Sequence, residues 1–152
     1  MDQDAFRTTY REINERFCAY EKGILTNNCA CSLAHKFCIA EREGVHCASD
    51  EAQAACLQLL DLLRRQARFA LKTTSDRTAL PHAKAMRIQV GGLRGIEAVL
   101  NPDQPVPTRI ADIRRTIEKA IAEYGSLAEL PFQEIVKQIA AYQGRQRPRR
   151  KR

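Results

Sequence analysis

The sequence predicts an all-α fold: a single-domain bundle of about five to six helices, with a cysteine-rich metal-binding segment between the first two long ones. Three observations lead there. Apolar residues recur at alternating steps of three and four along most of the 152 residues, the period of a helix that buries one face. Ser, Thr, Asn, Gly and Pro stand where those periodic stretches stop, as helix start and stop signals do. Four cysteines and two histidines crowd into residues 29–47.

The first helix is expected from about residue 4 to residue 25. Its stripe is Phe6, Tyr10, Ile13, Phe17, Tyr20 and Ile24, with Arg7, Arg11, Glu12, Glu15 and Arg16 off it. Thr26, Asn27 and Asn28 stop it, since Asn tolerates the left-handed conformation of a helix end. A short helix is expected from about residue 32 to residue 43, closed by Gly44. It would place Cys31, His35 and Cys38 on one face, with Cys47 returning after the turn. Ser49 then reads as the N-cap of a helix reaching about Lys72, with Asp50 and Glu51 in its first turn. Its stripe is Ala52, Cys56, Leu59, Leu60, Leu63, Ala67 and Ala70.

Residues 73–78 read as a polar connection. Residues 80–100 carry two patterns. Met86, Val90, Leu93, Ile96 and Leu100 make a helical stripe, whereas Met-Arg-Ile-Gln-Val followed by Gly91-Gly92 is the pattern of a β-hairpin. Helix is preferred, because a lone hairpin is marginal. Gly91, Gly92 and Gly95 each cost a helix about 1 kcal/mol, which a close approach by a neighbouring element would offset. Three prolines make residues 101–108 a rigid loop. Thr108 is the expected cap of a helix striped by Ile110, Ile113, Ile117, Ile121 and Tyr124, with Gly125 past its end. Pro131 opens a last helix bearing Ile135, Val136, Ile139 and Tyr142, and Gly144 ends it. Residues 1–144 thus form one helical domain, and 145–152 a basic disordered tail.

The formal net charge of +7 belongs to that tail. Its eight residues hold six basic side chains and no acid, which leaves 19 basic against 18 acidic residues elsewhere. The body therefore lacks the basic stripe of a nucleic-acid surface, and any contact with nucleic acid, or with an acidic partner, falls to Arg145–Arg152. No apolar run is long enough to span a membrane, and the N-terminus has no secretory signal. The expected location is the cytoplasm, with no membrane partner.

In a reducing compartment, six cysteines point to metal or thiol chemistry rather than to a disulfide framework. Cys29, Cys31, Cys38 and Cys47 supply four soft donors, the usual ligand set of iron–sulfur clusters and of structural zinc. If Cys31 and Cys38 share a helix, their backbones lie about 10 Å apart along its axis. One zinc ion would struggle to bridge that gap, whereas a 4Fe-4S cluster would span it. The expectation is therefore a small iron–sulfur protein acting in electron transfer or redox sensing, with a redox or regulatory protein partner. The alternative is a zinc-stabilised adaptor whose tail touches nucleic acid or an acidic partner. Cys18, His35, His46 and Cys56 serve as substitute ligands or as groups behind the ligands. Cys56 also fits the core as a small hydrophobe. A thiolate enzyme would pair Cys38 with His35, but no phosphate loop, oxyanion-hole motif or carboxylate pair names a reaction.

Overall fold

The computed structural model describes residues 3–72 and 79–144. The tail expected at 145–152 and the connection expected at 73–78 lie outside the described residues. No helix among the described residues is long and apolar enough to cross a membrane.

The centre of the molecule is a helix whose middle, residues 88–93, is buried on all sides. It starts as α5 (His82–Met86), passes through one π-helical stretch (Arg87–Gly91) and continues as α6 (Gly92–Leu100) with helical backbone angles throughout. Residues 88–93 are all buried, so this stretch has no polar face. The helical stripe of 80–100 is realised and the rival hairpin is not. Its glycines sit where other helices come closest. A Cβ at Gly95 would lie 2.8 Å from Ile135 O, and one at Gly91 would lie 2.9 Å from Ile139 Cα, both on α8 (Phe132–Ala141). A Cβ at Gly92 would meet Leu63 Cδ1 at 2.6 Å, on α3 (Asp50–Gln66). The close approach that the glycines required is thus made by two helices.

Around this centre, α3 and α7 (Ile113–Tyr124) complete one core with Leu59, Leu63, Leu93, Ile96, Ile117, Ile135 and Ile139. Ser49 caps α3 as its position predicts, its hydroxyl accepting from Ala52 N at 3.2 Å. After Gln66 the helix shifts into α4 (Arg68–Leu71), which ends at Lys72 in the left-handed conformation. The cap of α7 is Asp112, not Thr108. Residues before it run extended: Cys29 and Ile110 form a parallel bridge, and Ala30 N donates to Ile110 O at 2.9 Å. Asp112 also accepts from Ser32 N at 3.0 Å, so one carboxylate both starts α7 and anchors the cysteine stretch.

Two expected helices are corrected. The chain is not all-α, because residues expected as a helix at 32–43 form an antiparallel hairpin, β1 (Ala34–Ile39) and β2 (Arg42–Cys47). Its two-residue turn puts Ala40 at φ 54°, a conformation that carries no glycine signal here. Gly44 lies opposite Phe37 and makes room for its ring instead of ending a helix. The first helix is also divided, into α1 (Gln3–Ile13) and α2 (Glu21–Leu25). Between them the chain runs along β2: Phe17 bridges His46, Cys18 N donates to Val45 O at 2.9 Å and Cys47 N to Arg16 O at 2.8 Å. The hairpin thereby gains part of a third strand, and the backbone groups of β2 are paired on both sides.

A buried polar group forces that break. Asn14 Nδ2 donates to Val45 O at 3.0 Å and to Tyr10 Oη at 3.0 Å, and Asn14 Oδ1 lies 2.9 Å from His46 Nδ1. Glu21 joins the network, its Oε1 accepting from Val45 N at 2.7 Å and from Tyr10 Oη at 3.1 Å. Burial is the main cause that raises the Glu21 carboxyl above its ordinary pKa. The folded protein therefore holds this proton more tightly than the unfolded chain does. The resulting stability is complete below the unfolded value of about 4.3 and is lost as pH rises through the folded value. Glu21→Gln keeps the acceptor and cannot ionise. It is expected to melt above the wild type at pH 7, with the gap closing toward about pH 4, as thermal denaturation across that range will show.

Candidate functional site

The fold separates Cys29 and Cys38 from the other two expected metal ligands, Cys31 and Cys47. Cys29 is buried in the core, close enough that a Cβ at Gly23 would lie 2.7 Å from its sulfur. Cys38 is exposed on β1, and strand alternation puts His35, three residues before it, on the other face. The helical face that would have gathered Cys31, His35 and Cys38 does not exist. The pairing of Cys38 with His35 as a thiolate enzyme site loses its geometry for the same reason. His46 is engaged with Asn14. Among the described residues no group of three or more His, Cys, Asp or Glu side chains is placed to hold a metal ion. The iron–sulfur cluster, the zinc alternative and the electron-transfer, redox-sensing and zinc-adaptor functions built on them are corrected accordingly.

A different set of thiols does assemble. Cys18, Cys31, Cys47 and Cys56 line one small cavity of about 20 Å³, walled also by Tyr20 and Arg114. Each comes from a different part of the chain: the segment before α2, the stretch before β1, the end of β2, and α3. They are not placed to hold a metal ion together. Burial is the main cause that pushes the Cys18 and Cys56 thiols up to about 12 and raises Cys31 as well. These three are therefore neutral thiols at pH 7. The nearby backbone of Leu33 and of Arg114 pulls the Cys31 thiol back down in part, and the Asp112 carboxylate pushes it up. The Cys47 thiol donates to Ser49 O at 3.3 Å. Cys18 and Cys56, named from sequence only as substitutes, thus belong with Cys31 and Cys47. The signal that could have found them is the helical spacing that places Cys56 four residues after Ala52, another wall of the cavity.

A second concavity, of about 770 Å³, opens between the start of α5 and the end of α8. His82, Arg87 and Arg94 line it, and no aspartate or glutamate does. Arg87 donates to the last carbonyls of α8, from Nη2 to Ala140 O at 3.2 Å and from Nε to Tyr142 O at 3.4 Å. Arg94 lies 5.0 Å over the Tyr142 ring and donates to Thr108 O at 2.6 Å. Its Nε is buried with no hydrogen-bond partner. Both guanidinium groups are thereby held in place, and these bonds use only part of the five N–H donors that each carries. Gly144 forms part of the rim, and the arginine-rich residues 145–152 follow directly. Sequence reasoning missed the cleft because its cations come from one helix whose stripe reads as core.

No family model matches the chain, and no curated protein and no solved structure matches it.

Proposed function

We propose that the protein is a nucleic-acid-binding module that grips single-stranded phosphate backbone with the acid-free cleft and residues 145–152 together. The observation that carries this reading is continuity. The cleft lined by His82, Arg87 and Arg94 includes Gly144, and six basic side chains begin at the next residue. The body as a whole is nearly neutral, yet two arginines and no carboxylate line the cleft that includes Gly144. Five of the six tail cations are arginines, whose planar forks match phosphate oxygens better than ammonium groups do. Such a surface reads charge rather than sequence.

Fluorescence anisotropy with a labelled single-stranded DNA of mixed sequence tests it, at several salt concentrations. The intact chain is expected to bind with affinity that falls steeply with salt. Truncation after Gly144 should flatten the slope of log K against log salt by about four, since each neutralised phosphate contributes about 0.7 for single strands. Arg87→Gln in the intact chain should weaken binding further, with no change in sequence preference. Equal affinity for the intact and truncated chains would overturn the proposal. So would tighter binding to polyglutamate of matched charge, which would identify an acidic protein as the partner.

A further inference from the structure

We propose, resting on the phosphate-binding reading of the cleft, that the space between α5 and α8 is a pocket for one terminal phosphate. Its ligand is the phosphomonoester at the end of a nucleic-acid strand, while residues 145–152 hold the internal phosphates.

The two arginines of the cleft converge on one residue. Arg87 and Arg94 stand seven residues apart, about 10 Å along the helix axis. Their side chains nevertheless share an anchor: Arg87 Nε donates to Tyr142 O at 3.4 Å, and Arg94 lies 5.0 Å over the Tyr142 ring. Each is also tied to a second carbonyl, Arg87 to Ala140 O and Arg94 to Thr108 O. All of these acceptors are uncharged, and Arg94 Nε is buried with no acceptor at all. No aspartate or glutamate lines the cleft. Two positive charges thus stand in its wall, held in place and unanswered by any carboxylate of the lining.

That charge matches one phosphomonoester. A terminal phosphate carries a charge of about −1.5 to −2 at pH 7 and three acceptor oxygens, which suit two guanidinium forks. An internal phosphodiester carries a single negative charge and is tethered on both sides. His82 and Ala83 line the same cleft from the first turn of the helix that runs on to Leu100, and the positive end of that helix adds to the attraction. The other polar side chains of the lining, Thr26, Asn28 and Gln143, are uncharged and suit a sugar or a base better than a second phosphate. The volume of about 770 Å³ falls within the range of about 300–1,000 Å³ of small-molecule sites. The last nucleoside can therefore enter beside its phosphate.

The test is fluorescence anisotropy on the full-length chain with three single-stranded DNAs of one sequence, each labelled internally. One carries a 5′-phosphate, one a 3′-phosphate, and one a hydroxyl at both ends. The expected result is about tenfold tighter binding of a phosphorylated strand, the size of effect that charge-assisted contacts give. The end that produces the gain tells which terminus the pocket reads. Arg87→Gln and Arg94→Gln should each remove most of that gain and weaken the hydroxyl-ended strand much less. Circular dichroism checks that both variants fold, and if Arg94→Gln does not, Arg87→Gln decides. A gain that survives the substitutions would assign the terminal phosphate to the tail and overturn the proposal. So would equal affinity for all three strands. If that common affinity still falls with salt and with truncation after Gly144, the backbone-gripping function stands and only the terminal pocket falls. No binding of any strand would overturn both.

Discussion

Gly95→Ala is expected to lower the melting temperature by about 5–10 °C, corresponding to about 2–3 kcal/mol for a domain of this size. Helix propensity alone argues the other way, since alanine favours a helix over glycine by about 1 kcal/mol. Packing decides the sign. The new Cβ would lie 2.8 Å from Ile135 O and 2.9 Å from Ile135 Cα. Both are backbone atoms of α8 and cannot rotate away, so α6 and α8 must separate. Gly91→Ala meets Ile139 Cα at 2.9 Å and Gln138 O at 3.1 Å and belongs to the same class. Gly92→Ala is the internal control. Its Cβ would meet the tip of the Leu63 side chain, with Cδ1 at 2.6 Å and Cγ already at 3.6 Å. A rotamer change at Leu63 relieves most of that contact, so the loss should be clearly smaller. Thermal melts of the three single variants check the ranking, and equal losses would show that helix separation is not the cause.

That ranking also marks what was legible in the sequence. The glycines announced a close approach, because three of them within five residues of an otherwise apolar helix require compensation. Ser49 announced α3 through cap chemistry, and Gly125, at φ 88°, announced the end of α7. Residues 32–47 misled for a physical reason. Ala40 turns the hairpin in a left-handed conformation without Gly or Asn, so no turn signal stands in the chain. Gly44 is spent on the Phe37 ring and imitates a helix stop. The break at Asn14 was equally silent, because the apolar stripe from Phe6 to Ile24 continues through it while the segment pairs with β2. Reading those two segments as helices groups the cysteines by the wrong period. Cys31 and Cys38 were joined by a helical face that is absent. Cys18 and Cys56, brought to Cys31 and Cys47 only by tertiary contacts, stayed outside the expected set.

Gln89→Leu is the second substitution with a large expected effect, a loss of about 1–3 kcal/mol, and the reason lies in the π-helical stretch. A residue at the centre of a helix buried on all sides would ordinarily be apolar. Gln89 is 8% exposed, and its Oε1 accepts from Gly23 N at 3.0 Å. Gly23 lies in the short helix α2, whose first N–H groups have no partner within the helix. The glutamine satisfies one of them from across the core. A π-turn inserts an extra residue into the helical ladder, and here the stretch Arg87–Gly91 carries Gln89 while Gly91 and Gly95 stay facing α8. Leucine preserves volume and adds apolar surface, so a substitution judged by hydrophobicity alone would stabilise. It also leaves the Gly23 N–H buried and unpaired, and that desolvation penalty outweighs the gain. Amide hydrogen exchange should show Gly23 losing protection in Gln89→Leu ahead of the surrounding core. Unchanged protection at Gly23 would mean that the bond contributes nothing to holding α2 in place.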